Sequence, residues 1–143
     1  MKVRTDYVTN SSSSSYVIAY KDLPEIDEDT LKKYPFLRNY SKLLESILLT
    51  KGDNDTTAGT VLKTKKEFEE WFIDHWGWKD ETTVEELIED DSYLERDYKE
   101  SIEYIEKGYN ILRKSVDYND SYCEEMLQRL AKNNDYFIIL EAG

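Results

Sequence analysis

The chain is 143 residues long, 39% hydrophobic and 35% charged, with a formal net charge of −12. That length favours one domain, 1–143, and the composition allows a proper core to be buried. The charge argues against direct nucleic-acid binding, which needs Lys and Arg facing phosphates, and against an anionic membrane surface; it permits a basic partner.

A single cysteine, Cys123, rules out an intrachain disulfide and a cysteine-based metal site. This suits a reducing compartment, and the cytoplasm is the expected location. No stretch approaches the roughly 20 apolar residues that span a bilayer. Lys2, Arg4 and Asp6, followed by Asn10 and five serines, do not form the apolar run of a signal peptide.

Taken in chain order, residues 3–8 have an extended pattern, and 9–15 form a low-complexity Thr-Asn-Ser run. Tyr16-Val17-Ile18-Ala19-Tyr20 reads as a strand, and its near-continuous apolarity predicts a buried central position in a sheet covered by helices on one or both faces. An acidic, turn-like stretch with Pro24 follows over 21–30. Pro35 suits a first helical turn, and Phe36, Leu37, Tyr40, Leu44, Ile47 and Leu48 continue at helical spacing towards a stop at Gly52. Residues 52–60 are the best loop candidate and the expected mobile segment.

Four Ser/Thr-x-x-Glu capping boxes, at Thr64/Glu67, Thr82/Glu85, Ser92/Glu95 and Ser121/Glu124, each precede a helical pattern. The first helix carries Phe68, Trp71, Phe72 and His75 and ends near Gly77. The third carries Leu94, Tyr98, Ile102 and Ile105 and ends at Gly108. The fourth carries Cys123, Met126, Leu127 and Leu130. It is flanked by strands at 109–118 and 136–141, a unit with the connections of a right-handed parallel crossover. Together these elements predict an α+β fold: a small sheet of about three strands (near 16–20, 109–118 and 136–141) packed with four to five helices.

Few residues offer chemistry. His75 is the one histidine. Asp74, its neighbour, points elsewhere on a helix, so packing beside aromatic rings outweighs a general-base role. Cys123 falls on an apolar stripe beside Glu124 and Glu125, which favours core packing over a thiolate. Asp53-Asn54-Asp55 opens like a calcium loop, but Ala58 and Thr64 stand where an EF-hand needs Gly and Glu. There is no Gly-rich phosphate loop, so neither a cofactor nor a metal is expected.

The segment Asn10, Ser11, Ser12, Ser13, Ser14, Ser15 has two readings. It leads into the strand as a linker or strand edge, or its hydroxyls and N–H groups form an anion-holding or recognition turn. A small-ligand-binding protein or enzyme using this turn and His75 is the alternative functional reading.

Charge is more informative. Residues 80–107 hold twelve acids against three bases, a local charge of −9. Acids three and four apart on a helix are about 5–6 Å apart, on the scale of phosphate spacing. Glu85, Glu86, Glu89, Asp90, Asp91 and Glu95 are therefore the expected contacts to a basic protein surface, such as that of a nucleic-acid-binding protein. The plain alternative is a solvated helix face.

The stretch from Arg4 to Ile18, with Thr9-Asn10 and the five serines at its centre, resembles the N-terminus of small uncharacterised proteins of phages and other mobile elements in Gram-positive bacteria. Glu106-Lys107-Gly108-Tyr109 and Ser115-Val116-Asp117-Tyr118 are similar to segments of the same group. The resemblance implies a mobile-element setting, in which an inhibitory protein is expected, and transfers no catalytic residue.

Overall fold

A computed structural model describes residues 12–132 and 134–143. Four strands form one antiparallel sheet: β1 (Ser13–Tyr20), β2 (Thr60–Leu62), β3 (Asn110–Asp117) and β4 (Phe137–Ala142), in the order β2-β3-β1-β4. Six α-helices accompany them: α1 (Glu28–Lys33), α2 (Tyr40–Ile47), α3 (Lys65–Trp76), α4 (Val84–Glu89), α5 (Ser92–Glu106) and α6 (Ser121–Leu130). A 3-10 turn, Pro35–Asn39, leads into α2. The mixed α+β class is as expected, with one more strand and one more helix than the upper expected count.

The apolar run of β1 explains the sheet order. Tyr16, Ile18 and Tyr20 face one core with Leu44, Leu112, Leu127 and Phe137. Val17 and Ala19 face the other with Phe68, Phe72, Leu94 and Ile111. A strand apolar on both sides takes the interior of a sheet with helices on both faces. Helices α2 and α6 cover the first face, and α3, α4 and α5 the second.

This centring also refines the expected crossover. β3 and β4 both run antiparallel to β1, so they are parallel to each other as expected, but β1 lies between them and they are not neighbours. The closing strand–helix–strand unit is split by β1.

Three further departures have local causes. Helix α1 lies in the supposed turn. Asp27 caps it by accepting from the Thr30 N–H at 2.8 Å, and no residue in it is buried, so no apolar period marks it. Strand β2 has only three residues, too short for an alternation to register. The caps of three helices fall one residue from the expected box. Thr64 does cap α3 through the Glu67 N–H, but Thr83 caps α4, while Asp91 and Asp120 cap α5 and α6. Asp is as strong an N-cap as Ser, so the preceding aspartates displace Ser92 and Ser121. Thr82 is buried, its hydroxyl donating to the Lys79 carbonyl at 2.8 Å.

The expected mobile loop is tied down. Lys114, 3% exposed, donates from Nζ to the carbonyls of Thr50 and Thr57. Asp117 accepts from the Asp55 N–H at 3.2 Å and Asp120 from the Asp53 N–H at 3.1 Å. The Asp117 N–H donates to buried Thr56 Oγ1 at 2.9 Å. Gly59 allows the loop to close: a Cβ there would lie 2.4 Å from the Leu48 carbonyl oxygen and 2.5 Å from a Leu112 methyl. Among the described residues no helix is long and apolar enough to cross a membrane.

Candidate functional site

The structure divides the expected acidic contacts by role. Glu85, Glu89, Asp90 and Glu95 are exposed, and Glu86 and Asp91 are half-buried. Glu86 completes the Thr83 capping box and pairs with Lys79 at 2.9 Å; that hydrogen bond holds its carboxyl below the usual carboxylate range. Asp91 spends Oδ1 on the Leu94 N–H. Glu95 and Glu103 pair with Lys99 and Lys107 one turn along α5. Asp97 turns inward to Arg113, Oδ1 to Nη1 at 2.7 Å, with both side chains largely buried. The block is thus not a uniform row of carboxylates.

Three further acids stand on three packed helices. Tyr98 donates to Glu69 Oε2 of α3 at 2.6 Å. Burial pushes its hydroxyl up first, then the Glu69 hydrogen bond, then the charges of Glu69, Glu85 of α4 and Glu106 of α5. Three carboxylates therefore bear on one tyrosine. Among the described residues none of the three has an ion-pair partner. Glu69 escaped the sequence reading because it lies outside 80–107, the window in which acids are dense.

The serine run is not a turn where it is described. Ser13, Ser14 and Ser15 are strand residues of β1, opposite Asp117, Val116 and Ser115. The Ser12 carbonyl accepts from the Tyr118 N–H, and Ser12 Oγ donates to Asp55. The strand-edge reading therefore describes Ser13–Ser15, because β3 is long enough to pair with them. Asn10 and Ser11 lie outside the described residues.

His75 is exposed on the last turn of α3. Its ring lies nearly parallel to Trp71, centroids 4.8 Å apart, and edge-on to Trp76 at 4.6 Å. It packs beside aromatic rings, as the sequence suggested. Cys123 is buried in the first core; burial pushes its thiol up against the opposing pull of Lys114.

Ser15 and His75 nevertheless line the same cleft, about 420 Å³, where the second face of the sheet emerges from under α3 and α5. Its floor is set by strand register. Thr60, Arg113, Val17 and Glu141 form one row across β2, β3, β1 and β4, and Ser115 and Ser15 begin the next. Trp71, His75, Trp76 and Tyr93 wall it. Arg113 lies over Trp71 at 4.5 Å, and Glu141 accepts from the Tyr93 hydroxyl at 2.8 Å. Arg113 and Glu141 were not singled out from the sequence. A charged residue at an inward-facing strand position, Ile111-Leu112-Arg113, was the available signal.

Set against known proteins, the chain matches no family model, no curated protein and no solved structure.

Proposed function

We propose that this is an acidic interaction protein, which docks the carboxylate-rich surface of α4 and α5, joined by Glu69 of α3, on a basic groove of another protein. A nucleic-acid-binding enzyme offers such a groove, and inhibiting one is a role that the mobile-element resemblance supports. The observation that carries the reading is that Glu69, bonded to Tyr98, and the exposed Glu85 and Glu106 have no ion-pair partner among the described residues. Unpaired carboxylates on helices packed side by side build a negative potential, and a basic partner lowers it. The neighbouring exposed acids Glu89 and Asp90 extend the same surface.

An arginine-only peptide is a suitable probe. Glu85→Lys with Glu89→Lys is compared with Glu45→Lys with Glu124→Lys, the same charge change on exposed positions of α2 and α6. The first pair weakens binding by about tenfold or more at physiological salt, and the second by much less. Equal losses would mean that net charge alone is sensed and would remove the case for a site. Circular dichroism checks that each variant folds.

A further inference from the structure

A cleft lies at the end of the sheet, lined by residues outside the acidic face. It holds two opposite charges on one row of the sheet, Arg113 of β3 and Glu141 of β4, with Val17 of β1 between them. Neighbouring strands are about 4.8 Å apart, so the two Cα atoms are separated by about 10 Å. That distance is short enough for the side chains to meet one small molecule from both sides.

The placement of Glu141 depends on an irregularity. The register of β4 against β1 shifts between Val17 and Ile18, so Ile139 opposes Ile18 while Glu141 opposes Val17. Without the extra residue Leu140 would stand there. A bulge that exchanges a leucine for a carboxylate at a cleft floor re-aims a side chain, a recurrent use of bulges beside binding sites.

Both charges are positioned beforehand. Asp97 holds Nη1 of Arg113 at 2.7 Å, and the guanidinium lies 4.5 Å from the Trp71 ring centroid. The other guanidinium nitrogens make no hydrogen bond among the described residues. Tyr93 fixes one oxygen of Glu141 at 2.8 Å and leaves the second outside that bond. Preorganised charges lose little side-chain freedom on binding. The volume, about 420 Å³, and the aromatic walls are those of a small-molecule site.

We infer that this cleft binds a small zwitterion, an α-amino acid with an apolar side chain. Its carboxylate lies on Arg113, its ammonium on Glu141, and its side chain runs along Trp71 and Tyr93. Glu141 and the net charge of −12 oppose a polyanion such as a nucleotide, and the guanidinium nitrogens outside the Asp97 bond offer donors that a carboxylate uses and a simple cation does not.

Calorimetry on the full chain with L-phenylalanine, 3-phenylpropionate and phenethylamine tests this. Phenylalanine gives saturable binding, and each half-ligand binds about tenfold more weakly or worse. Glu141→Gln, which keeps an acceptor for Tyr93, lowers phenylalanine affinity by a similar factor. Arg113→Gln strands Asp97, so the cation is removed in the paired variant Arg113→Gln with Asp97→Asn, which loses carboxylate-dependent affinity. Binding of phenylpropionate as tight as phenylalanine would make this an anion site and overturn the inference. Equal binding of phenethylamine would make it a cation site and overturn it equally. So would the absence of saturable binding across the standard amino acids.

Discussion

Arg113 and Lys114 are neighbours on β3 that serve opposite faces of the sheet, and they are satisfied in different ways. Lys114 is enclosed by loop 50–59, and its ammonium meets the carbonyls of Thr50 and Thr57. Around it Asp117 and Asp120 fasten the same loop. Arg113 has one carboxylate, stacks on a tryptophan and faces a cleft. On the first face, polar groups close a structure. On the second, they stand where the helices leave the sheet uncovered. Polar residues of one strand thus separate into loop-fastening and cleft-lining groups by the alternation of the pleat alone.

The comparison can be broken at several points. The largest effect is expected from Arg113→Gln. Asp97 Oδ2 already has no partner, and losing the arginine strands the whole buried carboxylate. Urea unfolding should show a loss of about 3 kcal/mol, largely recovered when Asp97→Asn is added. A loss under about 1 kcal/mol would mean that the pair is wet and unimportant. Lys114→Met should cost less, about 1–2 kcal/mol, because the apolar stem is kept and the desolvation that lowers the lysine's pKa is relieved, while two carbonyls lose a donor.

Asp120→Asn is the smallest and carries a pH signature. Burial acts to raise the Asp120 pKa, but the N–H groups of Cys123 and Asp53, the Thr56 hydroxyl and the Lys114 charge outweigh it, and the net shift is downward. A carboxyl whose folded pKa is depressed contributes stability above its unfolded value, about 3.9, and loses it as pH falls through the folded one. The asparagine variant should therefore be less stable by about 1 kcal/mol at neutral pH and should converge on the parent in acid. Parallel stability curves from pH 7 to about pH 2 would contradict this account of the loop.

The sequence showed the parts that depend on local pattern. Apolar spacing and hydroxyl–glutamate boxes located α3 to α6, and the run Tyr16–Tyr20 located the central strand. It misplaced three caps by one residue because adjacent Asp, Ser and Thr are equally good acceptors. It missed α1 because a helix with no buried face leaves no period. Strand adjacency was not legible, since β1 inserts between two strands that are close in sequence. The acidic block was visible as a density of Asp and Glu. Its internal pairing, with Lys79 on Glu86 and Arg113 on Asp97, depends on the loop before α4 and on a distant strand. Ser15 and His75 were each noticed, yet the cleft joining them needs Arg113 and Glu141 from two further strands and a bulge that no local pattern announces.

The central claim is that the second side of the molecule carries the interaction surface and the first side the scaffold. It is tested most directly by titrating the arginine-only peptide into isotopically labelled protein and mapping backbone amide shifts. The account predicts perturbations concentrated at Glu69, Glu85, Glu89, Asp90 and Glu106, with α2, α6 and loop 50–59 unmoved. Shifts spread evenly over the acidic residues of both faces, or centred on α2 and α6, would contradict it.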